Sequence, residues 1–382
     1  MYILTEEHQT IRKTVRDFSE REIKPLAKEL DKNEEFSVEL TKKMGDIGLF
    51  GLNSPLKYGG SDLDMLSYII AVEELARVDS SQAATIAAHI SLGIGPIIRF
   101  GTEEQKNKYI PMLTTGSSTW AFGLTETEAG SDSRNTKTTA RFKDDHWVIN
   151  GSKTFITNGA SSINKGATVQ VVTDQNEERK EFSTILVDAD TPGFKRVPMH
   201  NKMMWRASDT AQFFFEDCTV PASNILGKRG EGSHIMLQTL DSGRLSIAAM
   251  GLGLSQGAYE MALSYARQRK QFGKQISQFQ AIAFKLADMA TKIELARNLL
   301  YKGTWLNQNN QPFAKEAAMA KLYCSEIARE VADEAVQIFG GYGLMKDYDI
   351  ERFYRDQRIL QIGEGTSEIQ RLVISRHIGC YE

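Results

Sequence analysis

The sequence predicts a mainly α fold with a middle β domain. Apolar residues recur at helical spacing through the first and last parts of the chain, and between them short runs rich in β-branched and aromatic residues are punctuated by turn formers. The third observation is size: 382 residues exceed the roughly 250 to 300 at which one hydrophobic core stops growing, so two or three packed units are expected.

From Glu6 to about Tyr109 the pattern is helical, with Ile11, Val15 and Phe18 on one apolar face and Ile69, Ile70, Val72, Leu75 and Ala76 on another. Ala83 to Leu92 is so rich in small and apolar residues that a helix there is buried nearly all round or lines a cavity. His89 lies within it, with no second His, Cys or acidic residue one turn on, so a metal site is not expected.

Between roughly Trp120 and Gly230, the runs Thr136 to Phe142, His146 to Thr157, Thr168 to Thr173, Phe182 to Val187 and Thr210 to Val220 read as strands of a small antiparallel unit. Asp144-Asp145, Asn150-Gly151, Asp174-Gln175-Asn176 and Pro192-Gly193 read as its turns. Without strand-helix-strand alternation, a doubly wound dinucleotide-binding sheet is disfavoured. After Gly230 the helical period returns. Phe279, Ile282, Leu286, Met289, Ile293, Ala296 and Leu300 form a bundle seam, and a last long helix covers about Ala314 to Phe339 and stops at Gly340-Gly341.

Composition narrows the function classes. With 46 Lys plus Arg against 49 Asp plus Glu and a net charge of -3, neither a nucleic-acid binder nor a polybasic membrane binder is expected. Cys218, Cys324 and Cys380 lie far apart without zinc or redox spacing. No signal peptide is legible at the start, and no uninterrupted apolar run reaches the length of a membrane span. The expectation is a soluble protein of a reducing compartment.

Two glycine-bearing motifs point away from nucleotides. Gly251-Leu252-Gly253-Leu254-Ser255-Gln256-Gly257 has its third glycine one residue late for a dinucleotide fingerprint and helical flanks, so these glycines read as sites of close helix approach. Asn150-Gly151-Ser152-Lys153-Thr154 ends like a phosphate loop but sits among strands and reads as a hairpin turn. No GxSxG elbow supports hydrolase chemistry.

Two segments offer chemistry. Phe122 to Asp132 runs from an apolar strand into a loop dense in hydroxyls and carboxylates, able to offer backbone N–H groups to a polar ligand or to form a capped surface turn. In Ile359 to Arg371, Glu364 stands between Gly363 and Gly365, before a helix start capped by Thr366 or Ser367. Such a glutamate serves as a general base if a ligand desolvates it, or is a plain turn carboxylate; the residues alone leave both readings open.

Five segments together resemble the acyl-CoA dehydrogenase family: Phe122 to Asp132, Asn150 to Asn158, Arg269-Lys270-Gln271-Phe272-Gly273, Gln337 to Gly343, and Ile362 to Ser367. The resemblance spans essentially the whole chain. It implies a three-domain architecture (helical 1–118, antiparallel β 119–230, four-helix bundle 231–382). It also implies FAD as cofactor, α,β-desaturation of an acyl-CoA thioester to a trans-2-enoyl-CoA, and electron transfer to an electron-transferring flavoprotein.

By this resemblance Phe122, Leu124, Thr125, Gly130, Ser131, Phe155 and Thr157 would line the flavin, and Thr366 and Glu368 would contact the cofactor. Phe155 replaces the tryptophan usual in the family. Arg269, Phe272, Gln280, Gln337 and Gly341 would reach the FAD of a neighbouring subunit, which implies an oligomer, usually a tetramer. Ser131, Asp241, Arg244, Gly363, Gly365 and Arg376 would contact the substrate. Glu364 would be the base, because Gly243, which takes the place where some members carry theirs, has no carboxylate. Ala83-Ala84 stands where a glutaryl-CoA enzyme would need an arginine. No metal or nucleic acid is implied, and a cytoplasmic location is expected, or the mitochondrial matrix for a mature eukaryotic chain. A carrier-bound or cyclic acyl thioester, or a non-catalytic acyl-CoA-binding protein, are the alternative readings.

Overall fold

The computed structural model describes residues 4–175 and 180–381; Asn176, in one of the predicted turns, lies outside them. Helices α1 (Glu6–Phe18), α2 (Lys24–Asn33), α3 (Val38–Asp46), α4 (Met65–Ala76), α5 (Ser80–Ala88), α6 (Gly95–Phe100) and α7 (Glu103–Leu113) come first. Sequence sets where they begin: the Thr5 hydroxyl accepts the His8 N–H at α1, and an Asp64 carboxylate oxygen accepts the Ser67 N–H at 2.8 Å at α4. Every residue of α4 after Met65 is buried, as a helix apolar on all faces must be. The α5 helix runs on through a π-helical stretch, His89–Ile94, into α6. Residues 80–100 are long and apolar enough to cross a membrane, yet 67% of the most apolar window is buried inside the protein.

Strands β1 (Thr119–Gly123), β2 (Thr139–Lys143), β3 (His146–Thr157), β4 (Asn164–Gln175), β5 (Lys180–Asp188), β6 (Phe194–Pro198), β7 (Thr210–Pro221) and β8 (Ile225–Leu226) form one sheet, ordered β6-β7-β3-β2-β4-β5-β8 with β1 beside β4. The sheet is mixed, a departure from the antiparallel unit expected. Both β1 and β2 run parallel to β4, along successive parts of it. Alternation marks a buried face but carries no information on strand direction; the long connection 124–138 supplies the crossover that parallel strands require.

A second departure concerns Asn150-Gly151, which is no turn. The β2–β3 reversal falls at Asp144-Asp145, both at positive φ, and Asn150-Gly151 runs on within β3 opposite a bulge in β7 at Glu216-Asp217, where the register between the two strands shifts. Buried Trp147, Ile149 and Ile156 keep the strand against the core on both sides of the bulge, and Asn150 exchanges two hydrogen bonds with Asp217, of 3.0 and 2.9 Å.

The last part holds α8 (Gly232–Gln268), the hairpin β9 (Lys270–Gln271) and β10 (Lys274–Gln275), α9 (Gln280–Gln308), α10 (Ala314–Phe339), α11 (Ile350–Asp356) and α12 (Ser367–His377). Of the predicted seam, Leu286, Met289, Ile293, Ala296 and Leu300 are buried in α9, Ile282 packs beside them, and Phe279 is the residue just before the helix. The glycines of α8 permit the close approach expected of them: a Cβ at Gly253 or Gly257 would stand 2.1 Å from a carbonyl oxygen of Glu73 or Arg77.

The first and last helical parts share one core, reaching from Val15 through Met250 to Leu360, while the sheet keeps its own around Ile149, Val169 and Phe213. Arg352 of α11 ties the parts together. Wholly buried, it pairs with Asp79 at 3.0 Å, and Asp79 in turn caps α5 through the Ser81 and Gln82 N–H groups. Nearby Asp356 accepts the Trp205 N–H at 2.8 Å. Because the pair is buried, removing one partner strands the other's charge. Arg352→Met is therefore expected to lower unfolding free energy by about 3–5 kcal/mol in urea titrations, and a loss below about 1 kcal/mol would mean the pair is dispensable.

Candidate active site

Glu364 occupies a bend between the end of a 3-10 turn, Gln357–Gln361, and the start of α12. Its φ is +52°, a left-handed conformation that a residue with a side chain adopts only when its surroundings hold it. Thr366 then caps α12, its hydroxyl oxygen accepting the Ile369 N–H at 3.3 Å. Although the residue is partly exposed, its carboxylate oxygen Oε2 is buried and has no hydrogen-bond partner among the described residues.

That oxygen lies against Gly243 of α8. A Cβ at Gly243 would stand 2.0 Å from Oε2 and 3.3 Å from a methyl of Leu92, so only glycine leaves room for the carboxylate. Burial pushes the Glu364 carboxyl up to about 7, against the opposing pull of the Lys321 and Arg244 cations. Arg244 is buried and paired with Asp241, and its Nε has no partner among the described residues. Burial lowers the Arg244 pKa and raises that of Asp241, each partly offset by the other.

The predicted residues fall into three groups. Asp241, Arg244, Gly363, Glu364 and Gly365 come together where the bend before α12 meets α8; exposed Glu368 stands near the start of α12 and exposed Arg376 near its end. Phe122, Leu124, Thr125, Gly130, Ser131, Phe155 and Thr157 lie at one end of the sheet, where the loop after β1 is fastened to β3. The Thr154 N–H donates to the Thr125 carbonyl at 2.9 Å, and buried Lys153 reaches the Leu124 carbonyl at 3.1 Å and Glu126 at 2.8 Å. Glu126 also accepts the Lys137 and Thr138 N–H groups, closing the loop at both ends. The two groups are neighbours, because Asn158 at the end of β3 donates to the Thr85 carbonyl at 2.9 Å, and Leu92, about 10 Å further along the same helical run, touches the Gly243 position.

The third group, Arg269, Phe272, Gln280, Gln337 and Gly341, lies elsewhere. From Lys321, which neighbours Glu364, α10 runs about 24 Å to Gln337, and α8 runs about 39 Å from Gly243 to Arg269. There the Arg269 guanidinium sits 5.6 Å from the Tyr342 ring, and Phe272 projects from the β9–β10 hairpin with 93% of its surface exposed.

A flat cofactor suits the sheet-end group. The Phe155 ring is 67% exposed although φ at this residue is +60°, an unfavourable conformation that leaves a bare aromatic face beside the fastened loop. Open space surrounds the place where a Gly130 side chain would be. His89 takes no part: its Nε2 lies 2.8 Å from the Leu113 carbonyl, its Nδ1 accepts the Trp120 N–H, and burial holds it neutral by lowering its pKa to about 4.

Sequence reasoning missed Lys321, Gln370 and Tyr68. Lys321 carried a signal, since it interrupts the small-residue stripe Ala317, Cys324 and Ala328 of α10, where a charge is out of place. Gln370 and Tyr68 carried none.

Comparison with known proteins shows the family. Family models described as the N-terminal, middle and C-terminal domains of acyl-CoA dehydrogenase match residues 5–117, 121–218 and 230–379. A short-chain-specific acyl-CoA dehydrogenase of Clostridium acetobutylicum is 45% identical over 98% of either chain. Butyryl-CoA dehydrogenase from Megasphaera elsdenii superposes with a TM-score of 0.96 at 41% identity, covering 99% of both chains. An acyl-CoA dehydrogenase of Bacillus anthracis complexed with FAD superposes at 0.93 with 37% identity, over 98% of this chain and 67% of that one.

The steric argument at Gly243 has a direct consequence. Gly243→Ala should displace the Glu364 carboxylate and lower the rate of substrate oxidation by about a hundredfold, with the circular dichroism spectrum kept. A wild-type rate would show that the carboxylate does not depend on this contact.

Proposed function

The chain belongs to the acyl-CoA dehydrogenase family, and from that membership we propose that Glu364 is the base of its reaction, the α,β-desaturation of an acyl-CoA thioester. The observation that carries the assignment is the buried, unpartnered Oε2, held near neutrality by desolvation. A general base works best when its pKa lies near the working pH, and among the described residues no competing donor bonds to the buried oxygen of this one.

Thioester substrates carry an acidic α C–H, and the charge that develops on the carbonyl oxygen needs a donor. The Glu364 backbone N–H makes no hydrogen bond among the described residues, so the residue that removes the proton also offers a donor for the oxygen. Asp241, Arg244, Gly363, Gly365, Ser131 and Arg376 hold the substrate. When bound, FAD, the family's cofactor, would supply the redox chemistry as acceptor for the β hydride. Phe122, Leu124, Thr125, Gly130, Ser131, Phe155, Thr157, Thr366 and Glu368 hold it within the subunit. Arg269, Phe272, Gln280, Gln337 and Gly341, which stand far from Glu364 along the helices, would hold the cofactor of a neighbouring copy, a reading that supports an oligomer, in this family usually a homotetramer. The same proposal divides the chain at 118/119 and 230/231, supported by the change from helix to strand near the first boundary and back near the second. Electrons leave to an electron-transferring flavoprotein, in the cytoplasm or, for a eukaryotic chain, the mitochondrial matrix.

The substrate is a short saturated acyl chain, a reading supported by the likeness to short-chain and butyryl-CoA enzymes. In anaerobic titration, butyryl-CoA should bleach the flavin band faster than octanoyl- or palmitoyl-CoA; preference for palmitoyl-CoA would refute the chain length and leave the reaction intact.

Glu364→Gln should retain FAD and lose reduction by substrate. It should also change stability with a definite sign. Because the folded-state pKa is raised, Glu364 favours folding while protonated and opposes it as the pH rises through about 7. The Gln variant should therefore melt higher than wild type at about pH 8 and alike at about pH 4. Substantial residual reduction would refute the assignment of the base.

A further inference from the structure

We propose that Lys321 and Gln370 are positioning residues for Glu364: side chains from two helices clamp the backbone carbonyls at its bend, and the Lys321 ammonium favours the ionised carboxylate. This rests on the reading of Glu364 as the base.

The clamp is explicit in the hydrogen bonds. Lys321 Nζ donates to the Gly365 carbonyl at 2.7 Å. Gln370 Nε2 donates to the same carbonyl at 2.9 Å and to the Glu364 carbonyl at 3.2 Å. One turn beyond Lys321, the Ser325 hydroxyl donates to the Leu360 carbonyl at 2.8 Å, fixing the chain just before the bend. Lys321, Ser325 and Gln370 are all fully buried, so the donor side of each bond is shielded from water, although Glu364 and Gly365 are partly exposed. Glu364 needs such restraint, since its own φ is unfavourable.

The charge has a separate role. Lys321 is packed among alanines of α10, and no carboxylate comes within ion-pair distance of it among the described residues. A buried ammonium without an ion pair is costly. It is balanced here by the field of Glu364, with smaller contributions from Glu368 of α12 and Glu326 of its own helix, and is opposed by Arg244 of α8. Around Glu364 itself stand Lys321 from α10, Arg244 from α8 and the buried Tyr68 hydroxyl from α4. Of the two cations, Arg244 already has Asp241 as partner; Lys321 has only carbonyl oxygen. Burial lowers the lysine to about 8, so it is still charged where the base must be ionised.

Three variants of the FAD-loaded enzyme separate charge from clamp. The readouts are the pH profile of flavin reduction by butyryl-CoA and the carboxyl signal of Glu364 in protein labelled with 13C-glutamate, assigned by its loss in Glu364→Gln. Lys321→Gln keeps an N–H donor and removes the charge, so the acid limb of the profile and the NMR titration should both move up by about one pH unit. Lys321→Arg keeps the charge and should leave both where they are. Gln370→Met leaves the ammonium in place and should slow reduction about tenfold at every pH without moving the limb. An unmoved limb in Lys321→Gln, an equal shift in Lys321→Arg, or a wild-type rate in Gln370→Met would overturn the proposal. If the Lys321 variants do not fold, the Gln370→Met result decides the clamp by itself. Full activity in Glu364→Gln would instead refute the base, which keeps the two failures apart.

Discussion

The contact between a buried carboxylate and a glycine on α8 organises this protein. Glu364 can sit where it does only because Gly243 has no Cβ, and the role proposed for it as a base depends on its burial there. The constraint is mutual: the space that accepts one carboxylate from the bend before α12 cannot hold a side chain from α8. A carboxylate withdrawn from water has its protonated form favoured, and the nearby Lys321 and Arg244 cations keep that effect from going further.

Much of the rest of the fold brings those two segments together and holds them. The α8 helix is pressed against α4 so closely that Gly253 and Gly257 admit no side chain, which fixes the height of Gly243 relative to the first helices. Arg352 binds α11 to the start of α5, and α5 leads through its π-helical stretch to Leu92, beside Gly243. Irregular turns of this kind recur at functional sites because they redirect side chains within an otherwise regular helix. The sheet stands on the same run through Asn158 and Thr85. The sheet end and the Glu364 bend are thus referred to one helical run.

How much of this was legible in the sequence differs from residue to residue. The α10 helix was read to its ends, because its apolar period is long and Gly340 stops it. The seam of α9 was visible for the same reason. Strand existence was legible from β-branched runs, but β1 and β2 running parallel to β4 was not, since direction depends on a connection whose path has no local signature. Asn150-Gly151 misled because that dipeptide suits a hairpin turn, yet here it runs on within β3 opposite the bulge of β7; the apolar residues on either side decided the matter. At the site, Glu364 between two glycines stood out, and its family resemblance gave it a role. Lys321 and Gln370 act through backbone carbonyls, contacts that leave little pattern in sequence.

By itself, the sequence determined the order of helices, strands and helices and the caps and stops that bound them, while the proton and flavin roles of particular residues came from the family resemblance. The former follow from local periodicity and from what each side chain can donate or accept. Only the tertiary structure decided that Glu364 is desolvated, that Gly243 is the surface it meets, that Lys321 lies near enough to influence it, and that Arg269 and Gln337 stand far from it along their helices. Each of these depends on distance and burial between segments remote in sequence, and electrostatics in a protein interior is set by those two quantities.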